Sequence, residues 1–103
     1  MITKFKIFEK NNYNPPKELL YDEARDLSKK RERINYYFYS NYEEGFDKII
    51  GKLGIKRMSN TIIEKILKFA KSNNDQKLLD LINDYINYLE ELKIKRESEK
   101  YNL

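Results

Sequence analysis

The C-terminal apolar series limits what this chain can fold into more than any other feature. Leu78, Ile82, Tyr85, Leu89 and Leu92 recur four and three residues apart. That spacing lines one face of an α-helix, and a strand, with its period of two, does not reproduce it. The doubled positions Leu78-Leu79, Leu81-Ile82 and Tyr85-Ile86 widen the stripe beyond a coiled-coil seam, and only two heptads are sustained. The helix is therefore expected to pack on a globular core instead of zipping two chains together. Asp75 stands where an N-cap belongs, so the helix is placed at 76–96, with Glu97 to Leu103 fraying.

Other segments repeat the pattern. Ile62, Ile63, Ile66, Leu67 and Ala70 predict a helix over 60–71, capped by Ser59 or Asn60 and broken at Ser72-Asn73-Asn74-Asp75. Phe46, Ile49, Ile50 and Leu53 predict one over 43–53, with Gly54 as its C-cap. Leu20, Ala24 and Leu27 predict a helix over 17–33, opened by Pro16 after a loop of Asn11, Asn12, Asn14 and Pro15. Arg31, Ile34 and Phe38 continue its stripe and would carry it to 39, whereas the β-branched and aromatic content of 34–42 favours a strand. At the N-terminus Thr3, Phe5 and Ile7 share one face of a short, half-buried strand over 2–8.

The expected architecture is mainly α, a compact bundle of about four helices with a short N-terminal β-strand. The alternative is α+β, with a two-stranded sheet formed by residues 2–8 and 34–40. Phe5, Ile7, Leu20, Leu27, Ile34, Phe38, Phe46, Ile49, Ile50, Leu53, Ile62, Ile66, Leu78, Ile82, Tyr85 and Leu89 form the expected core. One domain, 1–103, accommodates it, long enough to bury a core without disulfides. There are no internal repeats and no Gly/Ser linker.

Composition narrows the function. The chain has no His, Cys or Trp, which removes the usual near-neutral base, the thiolate nucleophile and the commonest soft-metal ligands. No cofactor loop or metal spacing is present, so no cofactor and no catalytic residues are expected. No apolar run approaches the ~20 residues that span a bilayer, and Met1 to Lys10 lack the features of a signal peptide. The expectation is a soluble, cytoplasmic protein that is not an enzyme. Asp80 and Asp84 share a helix face at i, i+4, but with Lys77 a turn away they read as a solvated face, not an acid/base pair.

The net charge of +4 is partly an effect of A/T-rich codons, since Lys, Asn, Ile and Tyr supply 48 of the 103 residues. Its distribution says more. Residues 1–33 carry nine Lys/Arg against six Asp/Glu, and 59–103 are balanced at eight each. The densest positive run, Lys29-Lys30-Arg31-Glu32-Arg33, leads into Tyr36, Tyr37, Phe38, Tyr39 and Tyr42. Arg and Tyr anchor protein interfaces, and cations beside rings also suit single-stranded nucleic acid. Lys29, Lys30, Arg31, Arg33, Tyr37 and Tyr39 are accordingly the candidate partner-binding residues, with Arg31 on the apolar stripe and so half buried. A second motif spans 45–71, where helices flank Gly54-Ile55-Lys56-Arg57-Met58, loosely like a helix-turn-helix but with a turn about two residues too long.

The opening Met1-Ile2-Thr3-Lys4-Phe5-Lys6-Ile7-Phe8-Glu9-Lys10 resembles the start of many small, A/T-rich proteins of bacteriophages and mobile elements. Size, missing Cys and His, and the basic-aromatic surface are similar to anti-CRISPR and other host-takeover proteins. That resemblance implies stoichiometric inhibition of a larger machine. The expected function is thus non-enzymatic binding and inhibition of a nucleic-acid-processing complex such as a CRISPR effector. The partner would be a larger protein or ribonucleoprotein, with nucleic-acid contact open and the protein itself a monomer or a homodimer. The alternative is a small DNA-binding transcriptional regulator using 45–71.

Overall fold

The computed structural model describes residues 13–51 and 60–101, with the backbone alone at 100 and 101. It contains four helices, α1 (Tyr21–Asn41), α2 (Glu43–Ile49), α3 (Asn60–Ser72) and α4 (Gln76–Tyr101). The described residues contain no strand. The strand expected at 2–8 lies outside them, as do Phe5, Ile7, Leu53 and Gly54.

Residues 34–40 are helical, so the two-stranded alternative is overturned there. The reason lies in packing. Leu27, Ile34 and Phe38 are buried on one helical face, and burying that stripe outweighs the local β-propensity of Tyr36, Tyr37 and Tyr39. The helix starts at Tyr21 and not at 17, leaving the residues after Pro16 non-helical. Its first turn is held by Glu23, whose Oε1 accepts the Leu20 N–H at 2.9 Å, satisfying a donor that the helix leaves open. Leu20 thereby sits outside the helix, 58% exposed, and is not core.

Helix α2 stops at Ile49 instead of 53, because Gly51 takes a left-handed backbone with φ +95° that only glycine adopts at little cost. Helix α3 ends at Ser72, one residue beyond the expected 71. Asn74 turns left-handed at φ 53°, and the Asp75 N–H returns to the Ala70 carbonyl at 3.0 Å. Asp75 then caps α4, its Oδ1 accepting the Leu78 N–H at 3.0 Å. That helix runs to Tyr101, five residues beyond expectation. Its last turns are tied by Arg96, which bonds Glu99 at 3.2 Å and the Glu18 carbonyl at 3.0 Å.

Helices α1 and α4 are antiparallel. Glu23 meets Lys95 and Arg96, Lys30 meets Asp84, and Tyr37 meets Asp75. Helix α3 packs on another side of α4 after the turn at 73–75, and α2 closes the end where α1 finishes. The core joins Leu27, Ile34, Phe38 and Phe46 to Ile63, Ile66 and Ala70, and to Leu78, Ile82, Tyr85, Leu89 and Leu92 of α4. Ile62 is half buried and Ile63 takes the inward place. Ile49 and Ile50 pack on the core's edge.

Two ends of the α1–α4 pair are held differently. At one, Phe38 meets Phe69 edge-on at 5.2 Å and Phe46 at 5.9 Å, while Tyr42 meets Phe69 at 4.9 Å. Gly45 permits this approach, since a Cβ there would come within 2.9 Å of the Phe69 ring. At the other, the Glu23 carboxylate, 6% exposed, takes Lys95 at 3.2 Å and the Arg96 guanidinium. The Leu20 N–H above all, then those two cations, hold its carboxyl below the usual carboxylate range against the opposing effect of burial.

Candidate functional site

The six candidates all lie on α1, but 100° per residue spreads them around it. Lys30 points to α4, its Nζ 2.8 Å from Asp84 Oδ2 and 5.3 Å from the centre of the Tyr88 ring. Arg31 is half buried and lies against Tyr85. Burial raises the pKa of that buried tyrosine, while the hydrogen bond and charge of Arg31 lower it. Tyr37 donates to Asp75, its hydroxyl 3.0 Å from each carboxylate oxygen. Lys77 Nζ lies 5.6 Å from the Tyr37 ring centre. These three side chains are engaged within the fold, so the six candidates do not share one outer face.

Asp75 is the polar hub of this region. Besides capping α4 it accepts the Tyr42 hydroxyl at 2.6 Å. Hydrogen bonding to Asp75, with burial second, pushes the Tyr42 hydroxyl up to about 12. The same bond, ahead of the opposing burial, holds Asp75 below the usual carboxylate range. Two phenols on one carboxylate with a helix cap is an arrangement that locks α1 to α4, because each donor is satisfied only when both helices are in place.

Tyr39 is 49% exposed and half engaged, its ring edge-on to Phe46 at 5.1 Å and its hydroxyl 3.3 Å from Glu43. Lys29 and Arg33 are exposed, and Tyr36 is 77% exposed. Spaced i, i+4 and i+7, they form one stripe about 10.5 Å long. Among the described residues none of their side chains enters an ion pair, hydrogen bond or ring contact. Glu32 shares the outer surface beside them. Tyr36 is the residue missing from the six. Its signal is visible only once the segment is known to be one helix, because it lies two positions from Phe38 and a strand would turn both the same way.

The other sequence motifs resolve as follows. Asp80 accepts Gln76 Nε2 at 2.8 Å and Asp84 pairs with Lys30, so the two carboxylates serve separate partners. Among the described residues no three metal-ligating side chains converge, and no helix is long and apolar enough to cross a membrane. A groove lined by Pro16, Lys93, Arg96 and Glu97 runs beside the chain entering α1, with Arg96 already bound to Glu23. In the 45–71 segment α2 ends at Ile49 and α3 begins at Asn60, and the expected turn around Gly54-Ile55-Lys56-Arg57-Met58 lies outside the described residues. No protein-family model, curated protein or solved structure matches the chain.

Proposed function

We propose that this protein is a non-enzymatic interaction module that binds and inhibits a larger nucleic-acid-processing complex, such as a CRISPR effector, through the outer stripe of α1. One observation carries the reading. Within a segment dense in cations and rings, Lys30, Arg31 and Tyr37 are used internally, and Lys29, Arg33 and Tyr36 are left on one line without partners among the described residues. Arg and Tyr anchor binding hot spots because they offer large contact area with a polar tip. A flanking Lys speeds encounter with an acidic surface. The rigid α1–α4 pair presents the three in a fixed geometry, which lowers the ordering cost of binding.

The effector in this reading follows the resemblance of residues 1–10 to host-takeover proteins, and the surface chemistry asks only for an acidic partner. Helix-turn-helix DNA recognition has less support, because the first helix of that pair, α2, is only seven residues long. The test is capture from nuclease-treated host lysate, followed by a nuclease assay on the captured complex. Wild type should retain a partner and suppress its activity at equimolar ratio, and Arg33→Glu/Tyr36→Ala should do neither. Equal capture by both proteins refutes the stripe, and undiminished nuclease activity refutes inhibition.

A further inference from the structure

A second exposed face, on α3, has a different chemistry. Lys65, Lys68 and Lys71 are all exposed. Among the described residues their side chains make no ion pair or hydrogen bond. Opposite them, Ile63, Ile66 and Ala70 are buried and fix which way the helix faces. The three lysines fall within a ~120° arc and rise about 4.5 Å from one to the next. Thr61 and Ser72 are also exposed. Glu64, toward the N-terminal end of the face, is the one carboxylate of α3, and its charge acts on Tyr13. Lys71, in the last turn, also suits the negative end of the helix, but Lys65 and Lys68 sit too far inside for that explanation.

The residue types decide between partners. Lys is depleted at protein interfaces, and this face presents no exposed ring or large apolar anchor. A flexible stem carrying a point charge suits phosphate oxygens, whose contacts position a nucleic acid without reading its sequence. We infer that the outer face of α3, through Lys65, Lys68 and Lys71, is a track for the phosphate backbone of a nucleic acid. It is separate from the α1 stripe and does not depend on the identity of the partner docked there. It also differs from helix-turn-helix recognition, because it needs no base contacts and no tight turn.

The test is fluorescence anisotropy with a labelled DNA duplex of arbitrary sequence, titrated with the full chain at several salt concentrations. Three phosphate contacts give a log–log salt slope of about −2.7, a weakening of roughly forty-fold for a fourfold rise in salt. Lys65→Gln/Lys68→Gln/Lys71→Gln should flatten the slope by about 2–3 and retain the wild-type circular dichroism, since glutamine forms helix well. Lys29→Gln/Arg33→Gln should leave most of the slope in place. Absence of salt-dependent duplex binding by wild type, or an unchanged slope in the triple variant, would overturn the assignment. So would tighter binding to polyglutamate of matched charge, which would give the face to an acidic protein. In each case loss of the track leaves the capture result for the α1 stripe intact, and the two inferences fail independently.

Discussion

The two sides of α1 are built from the same residue types and do opposite work. On the inward side Lys30 pairs with Asp84, Arg31 lies against Tyr85, and Tyr37 donates to Asp75. On the outward side Lys29, Arg33 and Tyr36 meet nothing within the described residues. Composition is therefore a poor guide to function in this helix. What separates an engaged cation from an outward one is its angle around the axis, which a residue count discards.

Substitutions on the two sides should separate by magnitude. Phe38→Ala, at the centre of the inward side, should cost about 4 kcal/mol through lost burial and a cavity under Phe69 and Phe46. Tyr36→Ala, two residues earlier, should stay within about 0.5 kcal/mol. Urea midpoints at constant m-value would measure both, and similar losses would erase the inward–outward distinction.

Asp75→Ala should come second, at about 2–3 kcal/mol, since a helix cap is lost and two hydroxyls lose their acceptor. The same hub sets a pH response. Tyr42 is neutral in its bond, and its folded pKa of about 12 lies above the ordinary value of 10.0. Its contribution is complete below pH 10 and is lost as pH rises toward 12. Asp75 works in the opposite direction. Its carboxyl lies below the ordinary 3.8, so its contribution is present above that value and is lost as pH falls through the folded pKa. Tyr42→Phe should flatten the alkaline limb of a plot of unfolding midpoint against pH and leave the neutral region lower by about 1 kcal/mol. An unchanged alkaline limb would remove Tyr42 from the hub.

Lys30→Met should have the smallest effect on the inward side, about 0.5 kcal/mol, because Asp84 is half exposed and such pairs are weak. Thermal unfolding in low and high salt would check it. A loss of several kcal/mol would mean that the ion pair, and not the apolar stripe, joins α1 to α4.

Most of the fold was legible because it follows from periodicity. The stripe Leu27, Ile34, Phe38 marked α1, and the series from Leu78 to Leu89 marked α4 with Asp75 as its cap. Helix ends were less legible, since they depend on partners distant in sequence. Glu23 starts α1 at Tyr21 and is itself held by Lys95 and Arg96, more than seventy residues on. Gly51 ends α2, three residues before the expected Gly54, because its backbone turns left-handed at φ +95°. The candidate site was legible as a segment but not as a surface. Lys29 and Arg33 stand outward, Arg31 is half buried as its place on the apolar stripe implies, Lys30 and Tyr37 turn toward α4, and Tyr36 was hidden by the choice between helix and strand. The α3 lysines were legible as basic residues of a helix but not as a charged face, because the acidic residues of α4 balance them over 59–103.

The most direct test of the central claim compares Lys29→Glu/Arg33→Glu/Tyr36→Ala with Lys30→Met/Tyr37→Phe in partner capture and thermal unfolding together. The account predicts that the outward variant keeps the wild-type unfolding midpoint and captures no partner. The inward variant should melt lower and, at a temperature where it is folded, capture as wild type does. An outward variant that captures as well as wild type, or an inward variant that is fully stable and fails to capture, would contradict it.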